Sequence, residues 1–171
     1  MNIVLTGMRG TGKTTLGKKL SKEIGWDFVD LDHWIEERVG MPIQDYVNER
    51  GWKAFRDAEK QAAKACSHLN KTVISTGGGT LMDPENAELI KKTGVVVLLL
   101  CNPETLRTYL EASYERPSLT ENKSALEEIE EIWEQRKDQY YAVADLTHDT
   151  SEWPNIDKLL EQLRNYPNLN L

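Results

Sequence analysis

The residues with the clearest chemical meaning lie near the start of the chain, at positions 7–14. They read GMRGTGKT, which matches the pattern G-x-x-x-x-G-K-S/T in full, between a predicted strand and a predicted helix. Glycines let several backbone N–H groups face one phosphate, and a helix N-terminus adds positive potential. A tight turn without a ligand is the weaker alternative. The segment predicts a nucleotide-phosphate site formed by Gly10, Thr11, Gly12, Lys13, Thr14 and Thr15.

Two carboxylates, Asp30 and Asp32, lie two positions apart at the predicted end of the second strand. One can hold the water molecules around a Mg²⁺ ion, and the other can orient an acceptor hydroxyl and take its proton. A turn or a helix cap would explain the same pair without chemistry. Their place at the phosphate end of a strand favours the functional interpretation.

Two further features suit the binding of a small anion. Arg56 and Glu59 share one face of a predicted helix, so the acid can fix a guanidinium for carboxylate binding, although a surface ion pair has the same spacing. Gly77, Gly78 and Gly79 follow the third predicted strand. Three consecutive glycines cost conformational entropy, which close approach of a ligand would explain better than a simple turn.

The elements that must position these residues alternate between strand and helix. An apolar run without alternation at positions 95–100 indicates a strand that is covered on both faces, as in a parallel sheet. The pattern predicts a three-layer, doubly wound α/β fold with a five-stranded parallel sheet that binds ligands at its carboxyl edge. The predicted strands cover residues 3–6, 28–32, 72–75, 95–100 and 146–147. The predicted helices cover residues 14–24, 33–39, 42–50, 52–68, 84–93, 103–110, 124–141 and 156–163.

Composition excludes several classes of partner. The 171 residues carry a net charge of −7, so no global positive field attracts nucleic acid or an anionic membrane. The length fits one domain, residues 1–171, and the apolar run at 95–101 is too short to span a bilayer. Cys66 and Cys101 are expected to be reduced thiols. We expect a cytoplasmic monomer without a signal or transit peptide, because the first apolar run leads directly into the glycine-rich segment.

Taken together, these motifs resemble the shikimate kinase family, and the resemblance extends from Ile3 to about Leu163. It includes Arg116-Pro117 in an irregular stretch, and Arg136 followed four residues later by Tyr140. The resemblance implies transfer of the γ-phosphoryl group of ATP to the 3-hydroxyl of shikimate, a step in aromatic amino-acid biosynthesis. It also implies a nucleoside-monophosphate-kinase-like fold with a mobile lid at about residues 111–122 and an acceptor-binding segment at about 32–60.

The resemblance also implies individual roles. Lys13 and Thr14 would serve ATP and Mg²⁺, with Asp30 holding the metal through water. Arg116 would stabilise charge on the transferring phosphoryl group, while Arg107 and Pro154 fall where the family contacts adenine. Asp32 would contact the shikimate hydroxyls as the candidate base, with proton removal and simple alignment both open. The remaining acceptor-binding residues would be Arg56, Glu59, Gly77, Gly78, Gly79 and Arg136.

Two alternatives share the nucleotide site. A kinase for another hydroxylated acid, such as gluconate, would keep the phosphate-binding segment but would not need Arg56, Glu59, the three glycines and Arg136 together. A non-catalytic nucleotide-binding regulator would be expected to lack Lys13, Asp32 or an acceptor arginine, and this chain has all of them. The sequence therefore favours the shikimate kinase interpretation.

Overall fold

The computed structural model describes residues 1–112, 125–152 and 156–171, and within them five parallel strands form one sheet. The strands are β1 (Asn2–Thr6), β2 (Asp27–Asp30), β3 (Thr72–Ser75), β4 (Gly94–Leu100) and β5 (Leu146–Asp149). The helices are α1 (Lys13–Ile24), α2 (Leu31–Val39), α3 (Ile43–Cys66), α4 (Pro84–Lys91), α5 (Pro103–Ala112), α6 (Ala125–Val143) and α7 (Ile156–Arg164), and a short 3₁₀ turn covers Thr80–Met82. The arrangement confirms the predicted α/β fold.

The order of the strands, β2-β3-β1-β4-β5, places β1 at the centre of the sheet. In the parallel register, Val4 pairs with Ile74 on one side and with Val96 on the other. The connection from β3 to β4 therefore crosses β1, which makes the carboxyl end of β1 a switch point of the topology. Ligands of open α/β sheets bind at such a point. The glycine-rich segment at residues 7–14 begins there.

Two apolar layers cover the sheet, because successive side chains of a strand point to opposite faces. Ile3 and Leu5 of β1 pack with Leu16 and Leu20 of α1, and α7 covers the same face. The intervening Val4 packs on the opposite face, in the cluster that includes side chains of α2, α3 and α4. In β4, positions 95–99 are at most 1% exposed, as the continuous apolar run predicted.

One local prediction about the helices needs correction, and another is confirmed. The second strand ends at Asp30 and α2 begins at Leu31, so Asp32 lies in the first helical turn and not at a strand end. The Asp30 side chain accepts hydrogen bonds from the backbone N–H groups of Asp32 and His33, which stabilises the start of α2. The two helices predicted on either side of Gly51 are confirmed, because the span α3 is interrupted at Gly51, where the backbone is non-helical with φ 82° and ψ 166°.

A third apolar cluster joins the carboxyl end of the sheet to α5 and α6. It contains Met8, Leu98, Leu106, Ile129 and the fully buried Tyr140. In the part of the chain that the structure describes, no helix is both long and apolar enough to cross a membrane. Residues 113–122 of the predicted lid, including Arg116, and the predicted adenine contact at Pro154 lie outside the described residues.

Buried His148 makes the stability of the fold depend on pH. Burial lowers its pKa below the ordinary value of 6.5, although a contact between its Nδ1 and Gln162 Oε1 at 2.9 Å acts in the opposite direction. The unfolded chain therefore takes up a proton at a higher pH than the folded protein does. Between about pH 8 and about pH 5, the free energy of unfolding should fall more for the wild type than for His148→Asn. Urea titrations across this pH range measure the free energy of unfolding of the two proteins. An equal fall in both proteins would contradict the prediction.

Candidate active site

The segment at residues 7–14 is called the phosphate loop from here on, and its lysine is hydrogen-bonded to the backbone of the same loop. Lys13 Nζ donates hydrogen bonds to the carbonyl oxygens of Gly7 (2.9 Å) and Met8 (2.8 Å). Gly12 has φ 85° and precedes the first residue of α1, a backbone geometry that favours glycine. The first N–H groups of a helix have no partner within it, so the start of α1 offers donors and a positive dipole end. The loop thus has the geometry of a phosphate-binding site.

A hydroxyl and a carboxylate meet beside the phosphate loop. Thr14 Oγ1 donates to Asp30 Oδ2 at 2.6 Å, and the other oxygen of Asp30 caps α2. The helix cap, which the sequence left open as an alternative for Asp30, is therefore observed, and the role of Asp30 at a metal stays a prediction. Oxygen donors of these two types suit a hard cation such as Mg²⁺. Among the described residues there is no group of three or more His, Cys, Asp or Glu side chains that could hold a metal.

Thr150, which follows β5, connects the phosphate loop to the carboxyl end of β4. Its buried hydroxyl lies within hydrogen-bonding distance of the carbonyl oxygens of Thr11 (3.1 Å) and Leu100 (2.9 Å), which share its one proton. The sequence analysis missed this residue. The two bonded positions Thr11 and Thr150 are 139 residues apart, and a single threonine after a weak strand carries no signal of such a contact. The bond gives the loop a fixed position relative to the end of the sheet.

Residues 77–79, called the glycine loop from here on, lie directly beside the phosphate loop. A Cβ atom built on Gly78 would lie 3.7 Å from the carbonyl oxygen of Gly7. A Cβ atom built on Gly77 would lie only 2.6 Å from Asp32 Oδ1. The absence of a side chain at Gly77 therefore lets the Asp32 carboxylate approach the backbone of the glycine loop. Asp32 is thereby brought to the carboxyl edge of the sheet, although it belongs to a helix.

Arg56 lies against the third glycine and is paired with a buried acid. A Cβ atom on Gly79 would lie 2.7 Å from Arg56 Nη1, and the same nitrogen pairs with Glu59 Oε2. The Glu59 side chain is 2% exposed, whereas that of Arg56 is 41% exposed. This asymmetry excludes a simple surface ion pair. The buried carboxylate holds the guanidinium from the interior side of the protein, and the outer part of Arg56 stays accessible to a ligand.

Arg136 reaches the same loop from α6. Its Nη1 donates to the carbonyl oxygen of Gly78 at 3.3 Å, and the hydroxyl of Tyr140, one helical turn further on, donates to the same oxygen. Burial raises the pKa of the Tyr140 phenol, although nearby Arg136 acts to lower it, so the hydroxyl keeps its proton. Two guanidinium groups from separate helices therefore meet at consecutive residues of the glycine loop.

Two glycine substitutions should separate the contributions of Asp32 and Arg56. Gly77→Ala should displace Asp32 and lower kcat about tenfold or more, because small misplacements of reacting groups are costly. Gly79→Ala should displace Arg56 and mainly raise KM for the acceptor, with a smaller effect on kcat. Steady-state kinetics of the two variants, each serving as a control for the other, measure this. Identical effects on both parameters would contradict the assignment.

The structure brings together most of the residues that the sequence selected. The phosphate loop, Asp30, the glycine loop, Arg56 and Arg136 all lie at one edge of the sheet. Within the phosphate-binding set, Thr11 is buried, and Thr14 and Thr15 are exposed at the start of α1. Arg107 is exposed on α5, the helix that follows β4. The binding roles of these residues remain predictions.

The parallel sheet has a phosphate loop after its central strand and an anion site beside that loop. These features define a P-loop nucleotide-binding protein built to act on a small anionic acceptor. Residues 9–164 match the family model described as shikimate kinase. The chain is 37% identical over 162 residues to shikimate kinase from Caldanaerobacter subterraneus subsp. tengcongensis, covering 95% of this chain and 93% of that relative. The chain belongs to the shikimate kinase family, as the sequence resemblance predicted.

Solved structures of the family have the same fold. Shikimate kinase from Bacteroides thetaiotaomicron superposes with a TM-score of 0.88 at 30% identity, covering 96% of this chain and 98% of that one. Shikimate kinase from Acinetobacter baumannii, solved in complex with shikimate, superposes with a TM-score of 0.84 at 30% identity, covering 95% and 92%. Both similarities extend over nearly the whole length of the chain.

Proposed function

We propose that this protein transfers the γ-phosphoryl group of ATP to the 3-hydroxyl of shikimate, giving shikimate 3-phosphate and ADP. The observation that carries the proposal is the pair of guanidinium groups at the glycine loop, immediately beside the phosphate loop. Such a pair suits one carboxylate, and the neighbouring Asp32 suits a hydroxyl on the same small molecule. Family membership and the shikimate complex of the Acinetobacter relative support the choice of acceptor.

On the nucleotide side, we assign phosphate binding to backbone N–H groups of Gly10, Thr11, Gly12 and Thr15, and to the ammonium group of Lys13. The bonds of Lys13 to its own loop keep that charge at the mouth of the loop. The pair of Thr14 and Asp30 fits Mg²⁺ in its donor chemistry. The ion, when bound, would neutralise charge on the β- and γ-phosphates.

On the acceptor side, Arg56 and Arg136 would bind the carboxylate of shikimate, with Glu59 fixing Arg56. The glycine loop would line the ring, since residues without side chains permit close approach of its hydroxyl groups. Asp32, which lies against Gly77, would contact the 3-hydroxyl. The acceptor is thus held at its carboxylate end and at its reacting end, which fixes its orientation toward the phosphate loop.

The chemistry then needs one proton acceptor and a set of positive charges. The 3-oxygen of shikimate forms a bond to the γ-phosphorus of ATP. At the same time the bond breaks between that phosphorus and the oxygen that bridges the β- and γ-phosphates, and ADP leaves with this oxygen. Asp32 accepts the proton that the hydroxyl loses. Lys13 stabilises charge on the transferring group, because preorganised cations act strongly where water is excluded.

We further propose that residues 1–171 form a single kinase domain with an acceptor-binding segment at about 32–60. A lid at about 111–122 would close over ATP and carry Arg116 to the transferring phosphoryl group. Arg107 and Pro154 would contact adenine. Arg116, Pro154 and the lid from residue 113 onward lie outside the described residues, so these assignments rest on the sequence resemblance. Arg107 is exposed on α5 after the carboxyl end of β4, where an adenine contact is feasible.

A coupled assay of ADP release tests the function directly. The purified protein is supplied with ATP and Mg²⁺, and with shikimate, gluconate or no acceptor. The proposal expects sustained ADP release with shikimate alone. Release with gluconate would identify the related kinase, and no release with either acceptor despite measurable ATP binding would identify a nucleotide-binding regulator. Omission of Mg²⁺ should abolish turnover.

We also propose that the protein acts as a monomer in the cytoplasm. Among the described residues, the large apolar side chains that are clearly exposed come from several separate elements: Met1, Trp52, Leu69, Tyr141 and Leu171. Such scattered exposure is normal for a monomer. Both cysteines are free thiols, which suits a reducing compartment. Light scattering after size-exclusion chromatography would measure the mass and would contradict the proposal if it gave a dimer.

A further inference from the structure

The buried carboxylate of Glu59 has a second partner that the proposed function does not use. Its Oε2 pairs with Arg56, and its Oε1 accepts a hydrogen bond of 2.9 Å from the hydroxyl of Thr80. Thr80 is 1% exposed and follows directly after the glycine loop. The two residues are 21 positions apart and belong to different elements, so this bond joins α3 to the loop between β3 and α4.

The backbone around Thr80 is itself held in place. Its N–H donates to the carbonyl oxygen of Gly77 at 3.3 Å, which closes a tight turn around the glycine loop. Its carbonyl oxygen accepts from Asn86 Nδ2 at 3.1 Å, and Asn86 is 2% exposed near the start of α4. Both backbone groups of Thr80, its N–H and its carbonyl oxygen, are therefore hydrogen-bonded. These two bonds hold the residue in the position from which its hydroxyl reaches Glu59.

A continuous path of contacts then leads from Asn86 through Thr80 and Glu59 to the accessible guanidinium of Arg56. A buried carboxylate oxygen that loses its donor is left unsatisfied in a medium of low dielectric constant, which favours rearrangement of the side chain. Movement of Glu59 would release Arg56, since the same carboxylate holds both groups. The hydroxyl of Thr80 is thus linked to the guanidinium of Arg56 through the Glu59 carboxylate.

We propose that Thr80 is a positioning residue for acceptor recognition. Its hydroxyl orients the Glu59 carboxylate and thereby holds Arg56 in register with the glycine loop and with Arg136. The inference rests on the proposed function, because Arg56 is taken to bind the carboxylate of the acceptor. It adds a residue outside the nucleotide and acceptor contacts that sets affinity for the acceptor without touching it.

The test is Thr80→Val, which removes the hydroxyl and keeps the shape of the side chain. KM for shikimate should rise about tenfold, the size expected when a hydrogen bond to a charged group is lost. The value of kcat should stay within about threefold and KM for ATP within about twofold, since neither the reacting atoms nor the phosphate loop is altered. Thr80→Ser restores the hydroxyl and should return KM for shikimate to within about twofold of the wild type.

Thr72→Val is the matched control, because Thr72 is a buried threonine at the start of β3, the strand that precedes the glycine loop, and its hydroxyl is bonded to the carbonyl oxygen of Asn70. It should leave KM for shikimate within about twofold of the wild type. Equal KM values for Thr80→Val and the wild type would overturn the proposal. Failure of Thr80→Ser to rescue, or a parallel change in all kinetic parameters, would also overturn it.

A double-mutant cycle separates positioning through Glu59 from a general effect on folding. In a Glu59→Ala background, Thr80→Val should change the calorimetric Kd for shikimate by no more than about twofold, since no carboxylate remains to be oriented. An undiminished effect in that background would overturn the proposal. If Thr80→Val does not fold, Thr80→Ala replaces it in both measurements. A wild-type protein inactive with shikimate refutes the proposed function itself, whereas an active wild type with an indifferent Thr80→Val refutes only the positioning role.

Discussion

Asp32→Asn should lower kcat for shikimate phosphorylation at least about a hundredfold, the effect expected from loss of a proton acceptor. The amide has nearly the shape of the carboxylate, so it can occupy the same place against Gly77. It cannot take the proton that the 3-hydroxyl must lose. Steady-state kinetics give kcat, and calorimetry should show affinity for shikimate within about threefold of the wild type, because the arginine contacts are unchanged.

Asp27→Asn is the control for this prediction. Asp27 is exposed at the start of β2, the opposite end of the strand from Asp30. Its substitution therefore removes the same negative charge at a position away from the site. It should leave kcat within about twofold of the wild type. A loss of less than about tenfold in Asp32→Asn would indicate that the carboxylate only aligns the hydroxyl. That result would favour the alternative that the sequence left open.

Elements defined by strong local patterns could be predicted closely from the sequence. The third strand was expected at residues 72–75 and is observed at Thr72–Ser75, because a short β-branched run lies between a polar turn and three glycines. The start of α2 could not be predicted as well. The residues 30–32 read as a strand end, yet the cap formed by Asp30 allows the helix to begin at Leu31.

The candidate site shows the same division between local and distant information. The phosphate loop and the pair of Arg56 and Glu59 depend on spacing within one segment, so their local geometry follows from sequence. The bonds from Thr80 to Glu59 and from Thr150 to Thr11 depend on how distant segments pack, and a lone threonine has many possible partners. Sequence therefore identifies the candidate ligand-binding groups better than the groups that hold them in position.

Arg136→Met should raise KM for shikimate at least about a hundredfold, since it removes a charge-assisted contact to the carboxylate of the acceptor. Methionine keeps much of the length and apolar stem of the side chain. The glycine loop should stay in place, because Tyr140 donates to the same carbonyl oxygen of Gly78 that Arg136 contacts. Steady-state kinetics at saturating ATP measure the effect, and KM for ATP should stay within about threefold.

Two comparisons make this prediction specific to carboxylate recognition. Arg164→Met, on α7 and on the opposite face of the sheet, removes the same charge away from the site and should change KM for shikimate by no more than about twofold. The second comparison uses the neutral carboxamide analogue of shikimate. Wild type should bind this analogue weakly, and Arg136→Met should weaken it by no more than about threefold, because the negative charge that Arg136 recognises is already absent. An equally large loss for both acceptors would show that Arg136 shapes the site without binding the carboxylate.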